Sequence, residues 1–178
     1  SYTLNTINNN HYLRVFPVVG IEYLINKSNT ISIDYSGRIK RPNFQLLDPF
    51  RWYTSKYDYS EGNPFMKPSY IHNVSLSYMC NNSFYTKMYF TKTNKDFGKM
   101  VFLDSENIQN QVERAGNFFD ISTFGINVEY NFQLGSWLET NLTGDITYSS
   151  YISNQTSFKN VRGWGSDFSL DNSFFLSK

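Results

Sequence analysis

The chain has 178 residues, a length that fits one ordinary domain and excludes two well-built ones. Its net charge of +1, with 17% charged residues and no long run of Lys or Arg, excludes a nucleic-acid binder working through a basic stripe. A single cysteine, Cys80, excludes an internal disulfide and a cysteine metal cluster. Aromatics make up 19% of the chain and alanine occurs once, at Ala115, a balance that favours strands over helices because aromatic and β-branched side chains fit a pleated surface.

The N-terminus, Ser1-Tyr2-Thr3-Leu4, lacks the basic-then-apolar pattern of a signal peptide. No apolar run approaches the ~18 residues of a membrane-spanning helix. Spanning strands escape that test, because only every second residue needs to be apolar.

In chain order, the pattern predicts about eight strands, over 1–7, 11–26, 29–41, 70–80, 83–104, 107–134, 137–153 and 159–177. Alternation is the main signal. In the third, Ile31, Ile33, Tyr35, Gly37 and Ile39 alternate with Thr30, Ser32, Asp34, Ser36, Arg38 and Lys40. In the sixth, Phe124, Ile126, Val128, Tyr130, Phe132 and Leu134 oppose a polar series that only Gly125 interrupts. In the seventh, Leu138, Leu142, Ile146 and Tyr148 oppose Glu139, Asn141, Thr143, Asp145 and Thr147. One face of each strand is apolar and the other wet.

Three connections are tight: 26–29, 81–83 and 135–136. Those between them are longer: 41–69, the region of 104–107, and 153–159. Alternating short and long connections are the outer-membrane pattern of short periplasmic turns and longer extracellular loops. The stretches 84–103 and 108–134 also exceed the ~9–11 residues that cross a bilayer, so they are expected to project beyond it. Tyr23, Tyr78, Phe84, Phe132 and Trp137 gather near the tight turns, and Tyr35, Phe90, Phe119, Tyr148, Tyr151 and Trp164 further along, as two aromatic girdles would. The fold class expected is therefore all-β: antiparallel amphipathic strands of an outer-membrane β-barrel.

The segment after the third strand reads Arg41-Pro42-Asn43-Phe44-Gln45-Leu46-Leu47-Asp48-Pro49-Phe50-Arg51-Trp52-Tyr53 and continues to Gly62-Asn63-Pro64-Phe65-Met66-Lys67-Pro68. It resembles the barrel region of TonB-dependent receptors and the related outer-membrane β-barrel family of Bacteroidota, which carry an Arg-Pro–aromatic–Leu-Asn-Pro–aromatic stretch and then Gly-Asn-Pro-x-Leu-Lys-Pro-Glu before a descending strand. Here Asp48 replaces the Asn, Met66 the Leu and Ser69 the Glu. In physical terms, Gly62 permits a positive φ, while Pro64 and Pro68 fix φ and cannot donate to a ladder, so Gly62, Asn63, Pro64, Lys67 and Pro68 are expected to form a rigid turn re-entering the wall at Tyr70.

The family's barrels have roughly 22 strands around a plugged lumen. The resemblance therefore implies a segment of a larger barrel, with no plug domain, TonB box or terminal aromatic strand in these residues. It implies an outer-membrane setting, with lipid, the rest of the barrel and a plug as partners, and a role in forming membrane wall and nutrient-capturing surface loops.

Chemistry is thin. His11 and His72 are the only histidines, and no His/Asp/Glu spacing suggests the three or four convergent ligands of a metal site. Asp34, Arg38, Glu129, Asp145 and Asp167 fall on polar strand faces, where lumen hydration or ion pairing explains them. A carboxylate pair at a glycosidase gap is the competing reading. With no Gly-x-Ser-x-Gly elbow and no phosphate loop, neither an enzyme nor a cofactor is expected.

The aromatics Trp52, Tyr53, Tyr57 and Tyr59, with Phe50, are candidate ligand-stacking residues. Packing on one another to hold a long loop together is the plainer reading. Two alternatives stand beside the barrel segment. A soluble β-sandwich that binds glycans through Trp52 requires the apolar faces to pack across a dry core. A free-standing eight-stranded barrel requires the first strand to pair with the last, around Thr3 and Leu170.

Overall fold

The computed structural model describes residues 15–104, 110–155 and 158–175. In chain order the elements are β1 (Val18–Asn26), β2 (Asn29–Lys40), a short helix α1 (Phe44–Leu47), β3 (Arg51–Tyr53), β4 (Asp58–Glu61), β5 (Ser69–Cys80), β6 (Phe84–Leu103), β7 (Gln111–Leu134), β8 (Leu138–Ser153) and β9 (Val161–Phe174). All nine strands join one sheet. Seven of them, β1-β2-β5-β6-β7-β8-β9, form an antiparallel meander, and β4 adds in parallel to the upper part of β7.

The tight turns follow from local chemistry. Asn26 Oδ1 accepts from the Ser28 N–H and from Asn29 Nδ2, both at 2.9 Å, closing the β1–β2 hairpin. Asn81 and Asn82 sit at φ 51° and 53°, the left-handed region that asparagine tolerates and that matches hairpin twist.

Between the β1–β2 hairpin end and the polar row beyond the band, register carries the alternation from strand to strand without a slip; it shifts only at Leu24–Asn26 and beyond Thr93. Ile21, Ile33, Leu76, Met88, Ile126 and Ile146 fall in one hydrogen-bonding row of the apolar face. The next row on that face is Val19, Tyr35, Val74, Phe90, Phe124, Tyr148 and Trp164. Beyond it the same face turns polar, in the row Gly37, His72, Lys92, Ser122, Ser150 and Arg162. His72 is fixed there by a 2.8 Å hydrogen bond between its Nδ1 and the Tyr35 hydroxyl. An apolar band bordered by rings and then by polar groups is how a spanning strand meets a bilayer interface.

Of the expected far belt, Tyr35, Phe90, Tyr148 and Trp164 share that aromatic row. Phe119 and Tyr151 do not: they lie on the alternate phase of β7 and β8 and pack edge-on against each other at 6.3 Å. Near the turns, Tyr23 and Tyr78 flank Ile31 in one row, Phe84 meets Tyr130, Tyr130 stacks on Phe132, and Trp137 stacks on Phe174.

No second layer covers the apolar face among the described residues. Phe168 is 68% exposed and Trp164 75%, and Leu76, Ile126 and Ile146 are all open. The buried apolar side chains are Tyr59, Phe97, Val112, Ala115 and Phe118, all at the far ends of β6 and β7 or in β4. A sandwich with a dry inter-sheet core is thus contradicted. A sheet this apolar on one side needs a non-aqueous solvent there, since each Å² of apolar surface left in water costs about 25 cal/mol.

The expected elements are otherwise recovered with small shifts. The strand expected over 11–26 begins at Val18, because Pro17 has no N–H to offer; its carbonyl instead accepts from the Gly37 N–H at 2.9 Å. The expected strand over 1–7, His11 and residues 105–107 lie outside the described residues. So does Thr3, on which closure against Leu170 was to rest. Among the described residues β1 pairs only with β2 and β9 only with β8, so the sheet is open. The segment 41–69, expected as a loop, carries α1, β3 and β4.

On the polar face, Gly125 is explained by its partner. Tyr89 lies directly across from it and its ring covers the position a Cβ would occupy. The Tyr89 hydroxyl reaches past β7 to the Asp145 carboxylate on β8, at 3.4 Å from each oxygen. Replacing Gly125 by Ala is therefore predicted to displace the ring, break its contact with Asp145 and destabilise the sheet by about 1–3 kcal/mol. Urea unfolding of the membrane-inserted protein reads this directly; an unchanged midpoint would contradict the Tyr89–Gly125 fit.

Candidate functional site

The feature that departs from a plain meander is the segment 41–68, a strap that leaves the end of β2, carries β3 and β4 to the far edge of β7, and returns to start β5. It has somewhere to dock because β6 and β7 outrun their neighbours. β7 pairs with β8 only from Phe119 to Leu134, so its edge above Phe119 is free of β8. β4 takes that edge, pairing Asp58–Glu61 with Gln111–Arg114.

The strap first builds its own frame. Asn43 caps α1 by accepting from the Leu46 N–H at 3.0 Å. The Gly62 and Asn63 N–H groups donate to the Asp48 and Leu46 carbonyls at 2.9 and 2.7 Å. This corrects the reason expected for Gly62. Its φ is not positive; it is glycine because a Cβ there would collide with those two carbonyls. Asn63 Oδ1 accepts from the Phe65 N–H at 2.9 Å and closes the turn that holds Pro64.

Three contacts then fasten the strap to the sheet. The first is Asn117, whose Oδ1 accepts from the Lys67 N–H at 2.8 Å while Nδ2 donates to the Lys67 and Lys95 carbonyls at 2.8 and 2.7 Å. One amide side chain thus ties the end of the strap to a bulge in β6, where Lys95 sits at φ 57° and its N–H is held by Asp120 at 2.7 Å.

The second is Glu61, which accepts from both Arg114 on β7 and Arg51 on β3. Donating to the Glu61 carboxylate raises the pKa of the Arg114 guanidinium above its ordinary value. The third is Glu113, 2.9 Å from Lys99 Nζ and 2.9 Å from the Ser60 hydroxyl. Hydrogen bonds from Lys99 and then Ser60 hold its carboxyl below the usual glutamate range.

The candidate aromatics divide. Tyr59 is only 5% exposed, lies beneath Arg51 at 4.7 Å and donates to Asp104 at 3.3 Å, so it is a packing residue of the docked strap. Tyr53 packs on Tyr59 at 5.4 Å yet remains 66% exposed; Trp52 (68%) and Tyr57 (50%) are open. Trp52 pairs with Ser60 and Tyr53 with Tyr59, so the two neighbouring rings point to opposite sides of the hairpin. They do not form one stacking platform. Among the described residues no three of His, Cys, Asp and Glu are placed to hold a metal.

Sequence reasoning missed Asn117, Glu61, Arg114 and the bulge at Lys95. An Asn within a long strand carries no local signal, and its importance lies in contacts some fifty residues away in the chain.

Two predictions follow from these fastenings. Asn117→Ala removes three hydrogen bonds and leaves strap and bulge groups unpaired, at a cost of about 1–3 kcal/mol. Amide exchange over 42–68 should then speed up roughly tenfold to a hundredfold, while the β1–β2 ladder is unaffected. Unchanged exchange in the strap would contradict the anchor. The second concerns pH. A carboxylate with a depressed folded pKa stabilises above the unfolded value, near ~4.3, and loses that stabilisation as pH falls through the folded one. After correction for intrinsic rates, β4 protection should hold from about pH 8 to about 5 and weaken below about 4. In Glu113→Gln that step should be absent.

The chain matches the model of the outer membrane protein beta-barrel family over residues 1–178. No curated protein sequence matches it significantly. Among solved structures it is similar to the siderophore receptor PirA from Pseudomonas aeruginosa, with a TM-score of 0.61 and 12% identity over 89% of this chain and 34% of that one. It is also similar to a mutant of the ferric enterobactin receptor PfeA from the same organism, with a TM-score of 0.53 and 11% identity over 92% of this chain and 33% of that one. At such identities the likeness is one of fold, and the chain spans about a third of the length of either receptor. An open amphipathic meander with an unpacked apolar face, matching part of a receptor barrel and the family model along its whole length, belongs to the outer membrane protein β-barrel family and lies in the bacterial outer membrane.

Proposed function

We propose that the chain forms part of the wall of a TonB-dependent type receptor, and that the docked strap lies on the extracellular side, where it helps capture a nutrient. The observation that carries this reading is the strap itself. It docks on the parts of β6 and β7 that extend past the polar row of Lys92 and Ser122, clear of the apolar band. A structured segment held by ion pairs, a parallel strand and an Asn clamp presents its exposed rings, Trp52 and Tyr57, in a fixed place, which a ligand-facing surface requires.

On this reading the apolar face contacts lipid and the opposite face lines the lumen, where Asp145, Glu129, Lys87 and Asn127 meet water or a plug domain. The rest of the barrel supplies strands beyond β1 and β9. The two solved receptors of similar fold are described as receptors for a siderophore and for ferric enterobactin, which favours nutrient capture as the general role.

Orientation is directly testable in the full-length receptor in living cells. In a Cys80→Ser background, Lys56→Cys in the strap should react with a membrane-impermeant maleimide on intact cells, and Asn82→Cys in the tight turn should react only after the outer membrane is opened. The reverse pattern would overturn the proposal. A strain that depends on the receptor for one limiting nutrient should also lose growth when residues 51–61 are deleted at unchanged membrane abundance; undiminished growth would remove the strap from capture.

A further inference from the structure

Beside the strap's anchor lies an open pocket of about 550 Å³, within the range of small-molecule sites. Its lining combines two features. Part of the lining is apolar and aromatic: Phe65 from the strap, Phe102 from β6 and Phe118 from β7. Another part is cationic. Lys67, Lys95 and Arg114 line it against a single acid, Asp120.

The charges are not equivalent. Arg114 is paired with Glu61, which it shares with Arg51, and Asp120 accepts from the Lys95 N–H. The ammonium groups of Lys67 and Lys95 have no acceptor among the described residues. Their backbones, in contrast, are pinned: both carbonyls accept from the same Asn117 amide, at 2.8 and 2.7 Å. Two unpaired cations on a fixed frame, sharing a lining with the exposed ring of Phe65 and with the half-buried Phe102, which Phe118 and Phe158 hold at 5.9 and 5.4 Å, make a site with a definite chemical preference.

We propose that this pocket binds a small ligand with two acidic groups on a flat aromatic body. The acidic groups pair with Lys67 and Lys95, Asn154 and Gln155 belong to the same lining, and the body lies against Phe65 and Phe102. The proposal deepens the receptor reading by naming a ligand class for the end of the sheet where the strap docks, and it rests on that reading for the side from which ligand arrives. Its position at the strap's anchor also links ligand to loop: occupancy bridges Lys67 of the strap to Lys95 of the sheet, so bound ligand slows strap exchange.

The test uses the full-length receptor in nanodiscs of phosphatidylcholine, titrated calorimetrically with naphthalene-1,5-disulfonate. Wild type should bind it, and the Lys67→Gln, Lys95→Asn double variant should bind about tenfold or more weakly, the loss expected for charge-assisted contacts. Asparagine is chosen at 95 because it tolerates the positive φ there. Lys56→Gln, in the strap away from the pocket, should bind as wild type does. Equal affinity in the double variant, equal binding of uncharged naphthalene-1,5-diol, or no binding of the disulfonate at millimolar concentration would each overturn the proposal. Inorganic phosphate binding as tightly as the disulfonate would overturn the aromatic half of it. If cell labelling placed the strap on the periplasmic side while disulfonate binding still depended on the two lysines, the pocket would stand and the receptor reading would fall.

Discussion

The structure depends on one constraint: backbone hydrogen bonding fixes the register of seven consecutive wall strands, and side chains alternate with a period of two. A one-residue slip anywhere would move a strand's apolar set to the polar side. No such slip occurs between Val19 on β1 and Trp164 on β9 within the apolar band. Irregularity appears in β6 only beyond Thr93, past the polar row that holds Lys92. Where the sheet must present an unbroken apolar face it is regular; bulges begin where that demand ends. In lipid this matters doubly, because an unpaired backbone group there has no water to fall back on.

The bulged region is also where the molecule acquires a packed core and a docked segment. Tyr59, Phe97, Val112, Ala115 and Phe118 are buried there, and the apolar band is not. Two different solvents explain the difference. Within the band, lipid covers the side chains and no protein layer is needed. Beyond it, β6 and β7 stand in water and must bury their own apolar residues, which the strap does by placing Tyr59 alongside Val112, 0% exposed, and β4 along a free edge. Covering that edge also removes a template for wrong pairing. The strap thus belongs structurally to the projecting part of the sheet, and the proposed ligand role builds on a position that stability already requires.

Much of this was legible in the sequence. Alternation over 30–40, 124–134 and 138–148 is long enough to set strand type and face, and β2, β5 and β8 begin and end within a residue of expectation. The family resemblance located the strap but not its structure. α1, β3 and β4 are three or four residues long, too short for any periodicity to register, and they form because β7 offers an edge. Gly62 was read as a conformational glycine and proves to be one of close approach, a distinction only the neighbouring carbonyls of Leu46 and Asp48 reveal. Tyr59 looked like its neighbours Tyr53 and Tyr57, yet it alone is paired with Val112 on β7, and that puts it in the core. Gly125 appeared as a break in a polar series, and its reason, the Tyr89 ring, lies on another strand.

The central claim is that one face of this sheet meets lipid while the other, at the same depth, meets water. Spin labels placed singly at Met88, Ile126 and Ile146, and at Lys87, Asn127 and Asp145, in the full-length protein in liposomes test it directly. Collisional relaxation by oxygen, which partitions into lipid, should dominate at the first three positions, and relaxation by a water-soluble nickel chelate at the second three. Equal protection from both agents at Met88, Ile126 and Ile146 would mean a dry protein core covers that face, and would contradict the account.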